Sequence, residues 1–104
     1  MIEEILHRRG TTLVRRMRLA PGETTPWHRD PFHGVSVLLG GDLLAIEFRD
    51  NRPRILAELT PGQVDWVEPS DQIHRAVNAG RQADEEITIF FLHHPDDVPQ
   101  PKYE

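Results

Sequence analysis

The 104-residue sequence contains no cysteine. That absence excludes disulfide staples, thiolate nucleophiles and cysteine-built zinc sites, and it fits a protein of the reducing cytoplasm. Aromatic residues are scarce, at 7%, and no segment interleaves them with Arg and Lys. Basic charge is in deficit as well: 12 Lys and Arg stand against 17 Asp and Glu, a formal net charge of −5. Phosphate contacts require a basic surface, so nucleic acid is not an expected partner. No apolar run approaches the ~20 residues that span a bilayer, so no membrane partner is expected. The acidic start Met1-Ile2-Glu3-Glu4 lacks the apolar stretch of a signal peptide. Helical periodicity is missing too, since no window of helical length repeats its apolar residues every 3.6 positions. There is no Gly-x-Ser-x-Gly elbow, and Gly40-Gly41 lacks the lysine of a phosphate-cradling loop.

What the sequence does have is regular punctuation. Pro21-Gly22, Gly40-Gly41-Asp42, Asp50-Asn51, Pro61-Gly62, Pro69-Ser70-Asp71 and Asn78-Ala79-Gly80 all carry turn chemistry. The segments between them are short and rich in Val, Ile, Leu or aromatics. They predict strands near residues 3–8, 12–19, 24–30, 34–39, 42–48, 54–59, 64–67, 73–78 and 85–92. Many short strands with frequent turns indicate an all-β sandwich or barrel. The charged stretch 81–86 reads as a loop or a single turn, and the proline-bearing tail 95–104 as irregular. A chain of this length forms one domain and buries roughly two-thirds of its unfolded surface, so its own core is modest. Apolar residues nevertheless occupy both parities of two segments: Val35 and Val37 beside Leu38 and Leu39, and Ile89 and Phe91 beside Phe90 and Leu92. One interior cannot take both faces, which points to a homodimer.

Six histidines are the soft ligands available: His7, His28, His33, His74, His93 and His94. In an extended strand alternate side chains share a face, so His28 and Asp30 point the same way. The strand Ile73–Asn78 brings His74. Set side by side, the two strands gather His28, Asp30 and His74, and two histidines with one carboxylate form the triad of non-haem iron(II) sites. Zinc, nickel or manganese suits the same donors. In the plainer reading, His28 and His74 are pocket histidines hydrogen-bonded to water, and Asp30 caps the following turn. Arg29 and Arg75 have the opposite parity and should face solvent. Trp27 shares that parity and suits a sheet face or an interface. Trp66 lines the cavity mouth or packs in the core. His7 and Glu47 read as surface strand residues, and His93-His94 as a strand end.

The spacing of these residues resembles that of the cupins. Gly22, His28 and Gly41 stand where the first cupin motif has glycine, histidine and glycine. Gly62, Pro69, His74 and Asn78 stand where the second has glycine, proline, histidine and asparagine. The resemblance implies a single-domain double-stranded β-helix, a jelly-roll barrel, over residues 1–104 with its core at about 12–92. It also implies a divalent metal cofactor at the barrel mouth, a small organic ligand or substrate, and pairing of two copies. The match has departures. Asp30 replaces the second histidine of the first motif. The family's glutamate ligand falls on Gly34, or on Val35 with the shorter spacing. Asp71 replaces a glycine of the second motif, and one extra residue separates Gly62 from Pro69. By strict alternation His33 faces away, but a bulge at Pro31 turns it inward to stand in for the missing glutamate. The expected metal ligands are therefore His28, Asp30, His74 and His33. If the register holds without that bulge, Gly34 faces the metal and Gly34→Glu restores the carboxylate. Three functions fit: a metal-dependent enzyme, an oxygenase among the options; a non-catalytic module binding or sensing a small ligand at a degenerate metal site; or a structural subunit.

Overall fold

A computed structural model describes all of residues 1–104. The chain forms ten strands and no helix: β1 (Ile2–Arg9), β2 (Thr12–Leu19), β3 (Trp27–Asp30), β4 (Gly34–Gly40), β5 (Leu43–Phe48), β6 (Ile55–Glu58), β7 (Val64–Val67), β8 (Ser70–Asn78), β9 (Asp84–Phe91) and β10 (Lys102–Tyr103). They make two five-stranded antiparallel sheets, ordered β1-β2-β9-β4-β7 and β10-β3-β8-β5-β6. Neither sheet is built from consecutive strands alone, and the chain passes back and forth between them. No helix is long and apolar enough to cross a membrane.

Parity decides which side chains enter the space between the sheets. On β2 the buried positions are Leu13, Arg15, Met17 and Leu19, while their neighbours are more exposed. On β9 they are Asp84, Thr88 and Phe90. Two apolar clusters result. Leu13, Phe32, Phe90 and Leu92 form one. Met17, Leu19 and Ala76 form the other, with Leu44 and Ile46 against it. Arg15 lies between them on β2, so the core is divided by a polar middle.

The turn between β8 and β9 is held by a buried amide. Asn78 donates from Nδ2 to the carbonyls of Leu19, at 3.0 Å, and Gln82, at 2.8 Å, and its Oδ1 accepts from Gly80 N–H at 3.0 Å. Asp42 packs so close to Gly80 that an added Cβ there would lie 1.8 Å from its Oδ1. A side chain at position 80 would have to displace the Asp42 carboxylate, which accepts the N–H groups of Leu43, Arg81 and Gln82. Gly22, at φ 82°, is required by conformation.

Several boundaries differ from the sequence reading. The first histidine strand begins at Trp27, with Thr24 making only an isolated bridge to Val77. Ser70 and Asp71 belong to β8 and not to a turn, because Ser70 pairs with Asp30. Of the charged stretch 81–86, Glu85 and Glu86 belong to the strand expected at 85–92, paired with β2 on one side and β4 on the other, and Asp84 extends that strand by pairing with Leu19. The tail is not wholly irregular, since Lys102 and Tyr103 pair with His28 and Trp27.

Asp84 is 1% exposed and neither carboxylate oxygen has a partner. Burial, and then the nearby charge of Glu86, push its carboxyl up to about 6. Below about pH 4 the group is protonated both folded and unfolded. Between about pH 4 and about pH 6 the unfolded chain releases the proton and the folded chain keeps it. Stability therefore falls as pH rises through that window, by roughly 2–3 kcal/mol, and then levels off. Asp84→Asn should raise stability at pH 7.5 by about 1–2 kcal/mol and leave it nearly unchanged at pH 4, as read by urea denaturation at the two pH values. An equal effect at both would mean that Asp84 carries no buried charge.

Candidate metal centre

β3 and β8 lie side by side with His28 directly opposite His74, and a register shift after His28 brings Asp30 opposite Ser70. Alternation along β3 puts both His28 and Asp30 on the inner face. The imidazole centroids are 4.5 Å apart, and Phe48, opposite His74 on β5, packs against that ring. The ligand atoms of His28, Asp30 and His74 all lie within 4.8 Å of one another.

Each ring is oriented from behind. His28 Nδ1–H donates to the carbonyl of Pro26 at 2.8 Å, and His74 Nδ1–H donates to the carbonyl of Gln72 at 2.8 Å. A carbonyl can only accept, so both protons are assigned to Nδ1 and both Nε2 atoms turn toward Asp30. Outer hydrogen bonds of this kind hold metal-ligating histidines. Asp30 Oδ2 is 2.8 Å from His74 Nε2 and 4.0 Å from His28 Nε2. The tail supplies a further partner, since Gln100 Nε2 donates to Asp30 Oδ1 at 2.7 Å.

These contacts move the protons apart. Burial lowers the His28 pKa, against the opposing pull of the Pro26 carbonyl and the Asp30 charge. The hydrogen bond to Asp30 raises that of His74, more than burial lowers it. Burial alone would raise the Asp30 carboxyl, but the hydrogen bonds from His74 and Gln100 outweigh it and hold the group below its ordinary value. The lowered His28 favours its neutral form, with the Nε2 lone pair free, and the raised His74 beside the lowered Asp30 favours a proton held between Nε2 and Oδ2, where a cation would sit. The donor set fits a small divalent ion: two imidazole nitrogens and one carboxylate, converging on one wall of a cavity of about 250 Å³.

The opposite wall comes from the other sheet. Arg15, Ser36, Glu86 and Thr88 face the histidines, with Met17, Val67 and Phe90 as apolar lining. Arg15 Nη1 donates to Gln100 Oε1, so Gln100 bridges Asp30 and Arg15. None of Arg15, Ser36, Glu86, Thr88 or Gln100 stands out in the sequence as a site residue. For Arg15 and Glu86 there was a signal: each is a charge at a position whose strand parity is otherwise inward. Gln100 had none, because its place depends on the tail returning to β3.

The structure does not bring His33 into the cluster. Residues 28, 30, 32 and 34 keep inward parity through Pro31, so no bulge there turns His33 over. It is exposed, and its Nδ1 accepts from Trp66 Nε1 at 3.0 Å. Trp66, placed by the sequence reading at the cavity mouth or in the core, is also exposed and stacks on Phe91. Gly34 does lie on the inner face, but an added Cβ there would meet the Ile89 carbonyl oxygen at 2.7 Å. The expected gain from Gly34→Glu is therefore corrected: a side chain at 34 would push β4 off β9. Arg75 lies over Trp27 and bonds Glu47, and Arg29 lies over Tyr103, all on the outer face. His7 is exposed, and His93 and His94 sit in a turn whose N–H groups donate to Asp97.

No family model and no curated protein matches this sequence. Solved structures do match. A cupin domain from Bordetella pertussis superposes with a TM-score of 0.74 at 22% identity, covering 86% of this chain and 90% of that one. A cupin-like protein from Thermotoga maritima gives 0.69 at 20% identity, covering 97% and 74%. The polyketide cyclase RemF from Streptomyces resistomycificus gives 0.60 at 14% identity, covering 89% and 61%. Likeness at these identities speaks for the fold, and it agrees with the two antiparallel sheets and with the motif spacing around His28 and His74: this chain is a small protein with the cupin fold.

Proposed function

We propose that the protein is a divalent-metal-dependent enzyme acting on a small organic molecule, with His28, Asp30 and His74 as the metal ligands. One observation carries this reading: both histidines spend Nδ1–H on backbone carbonyls and aim Nε2 at a shared carboxylate inside a cavity. A divalent cation supplies Lewis acidity there and, as iron(II), redox chemistry. Three protein ligands leave positions free for water and substrate. Gln100 fixes the Asp30 carboxylate, and the apolar lining limits water. That a structure of the same fold is a polyketide cyclase supports an enzyme reading. The second reading, a non-catalytic module for a small ligand, draws support from the missing fourth ligand, with glycine at position 34 and His33 turned outward.

Metal must displace the proton shared by His74 and Asp30. Because the pKa of His74 is raised, affinity should fall as pH drops, beginning above the ordinary histidine value of about 6.5. At pH 7, calorimetric titration with zinc in buffers of different ionisation enthalpy should show release of up to one proton. His28→Ala and His74→Ala should each weaken binding at least tenfold, and His33→Ala should not change it. Equal affinity in wild type and the double alanine variant would reject the reading. Metal bound without turnover of any small acid, alcohol or ketone tested would favour the binding module.

We also propose that two copies pair through the outer face of the first sheet, where Val35, Val37, Ile87 and Ile89 adjoin exposed Trp66 and Phe91. The protein would then act in the cytoplasm as a homodimer. Light scattering should give twice the chain mass, and Ile89→Glu should give the monomer mass. A monomeric wild type at micromolar and higher concentrations would exclude this pairing.

A further inference from the structure

Arg15 occupies an inward position of β2 between Leu13 and Met17 and is 2% exposed. A guanidinium this buried is normally matched by acceptors. Here it has five N–H donors and little to give them to. Nη1 donates to Gln100, Nη2 lies 3.5 Å from Glu86, and Nε has no partner. The Phe90 ring, 4.9 Å from Cζ, packs against one face of the guanidinium.

The groups beside it are equally loose. Ser36 Oγ lies 3.4 Å from Glu86 Oε2 and 3.3 Å from Thr88 Oγ1, and Thr88 Oγ1 lies 3.4 Å from Glu86 Oε1. Such contacts are long for hydroxyl donors and leave the wall under-satisfied. Such a wall is completed by water or by a ligand that enters the cavity.

Charge narrows the choice. Arg15 is positive and Asp30, held below its ordinary value, is negative, while burial pushes the Glu86 carboxyl up and weakens it as the counter-charge of Arg15. A divalent cation at the histidines makes the cavity net positive whichever form Glu86 takes, so an anion is the fitting ligand. The planar fork of arginine matches a carboxylate in shape. A cavity of about 250 Å³ has room for a molecule of on the order of ten heavy atoms, given about 30 Å³ for a water.

We propose that the cavity binds a small monocarboxylate, with Arg15 as the carboxylate's partner on the wall opposite the metal ligands. This rests on the metal reading for its charge balance and adds to it the class of substrate.

The test uses matched pairs, propionate with propionamide and benzoate with benzamide, titrated calorimetrically into the zinc-loaded protein. The acids should bind at least tenfold more tightly than the amides. In Arg15→Gln acid affinity should fall at least tenfold while amide affinity stays within threefold. Zinc titrated alone should still bind the variant, no more weakly than wild type because a positive charge has left the cavity, which shows that the metal centre survives the substitution. If Arg15→Gln does not fold, Arg15→Lys keeps the charge and removes the fork, and it should still cost the acids threefold or more. Acids binding no better than amides in wild type, or equally well with and without Arg15, would overturn the proposal. If zinc fails to bind wild type, the metal reading falls by itself. The same pairs on the metal-free protein then decide this one: an acid preference lost in Arg15→Gln sustains it, and no preference rejects it.

Discussion

The pairing of His28 with His74 across two antiparallel strands governs the centre of this molecule. Two imidazoles placed side by side in a buried wall cannot both carry a proton on the inward nitrogen without a counter-charge. Asp30 provides one for His74, 2.8 Å from its Nε2, and alternation along β3 keeps it on the same inner face as His28. The backbone completes the arrangement, because the Pro26 and Gln72 carbonyls take the outward protons. The donor set thus comes from two strands and needs no long-range loop. A barrel that pairs those strands at this register has the triad; a slip by one residue would turn it out of the cavity.

The cost of this centre is spread through the core. A 104-residue chain has few apolar residues for its core, and here Arg15, Asp84, Glu86 and Thr88 take inward positions that Leu or Val could fill. The apolar core is accordingly divided in two, with the polar cavity between. Asn78 recovers part of the loss by satisfying two backbone carbonyls and one N–H at once. The charges are not all matched, for Asp84 lies buried without a partner. Concentrations of unsatisfied polar groups like these mark places where sequence serves something besides stability.

On the outside the two sheets differ. The first presents aliphatic residues with Trp66 and Phe91. The second presents arginines laid over aromatic rings, Arg75 and Arg49 over Trp27 and Arg29 over Tyr103, and past the end of β5 Arg52 lies over Phe48. Along the chain these partners are scattered, so the sequence shows no basic-aromatic run. The fold assembles one, and Glu47 and Asp50 offset part of its charge.

Turn chemistry and strand parity were enough to read an all-β barrel and to put His28 and Asp30 on one face, because both signals are local. Spacing against the cupin motifs was enough to pair that strand with the one bearing His74. Other features were decided by neighbours distant in sequence. Asp84 became strand because it pairs with Leu19 of β2, against its own charge. His33 stayed outside because alternation continued unbroken through Pro31, which only the pairing of β4 with β9 settles. Gly34 sits under the Ile89 carbonyl, a closeness that no spacing rule contains. Gln100 reaches Asp30 because the tail folds back to pair with β3. The sequence by itself determined nine of the ten strands, β10 excepted, and the shared face of His28 and Asp30, since these depend on residues close along the chain. The tertiary structure alone decided what stands opposite those side chains, Arg15 and Glu86 among them, because a facing wall is made by residues that meet only when the two sheets close.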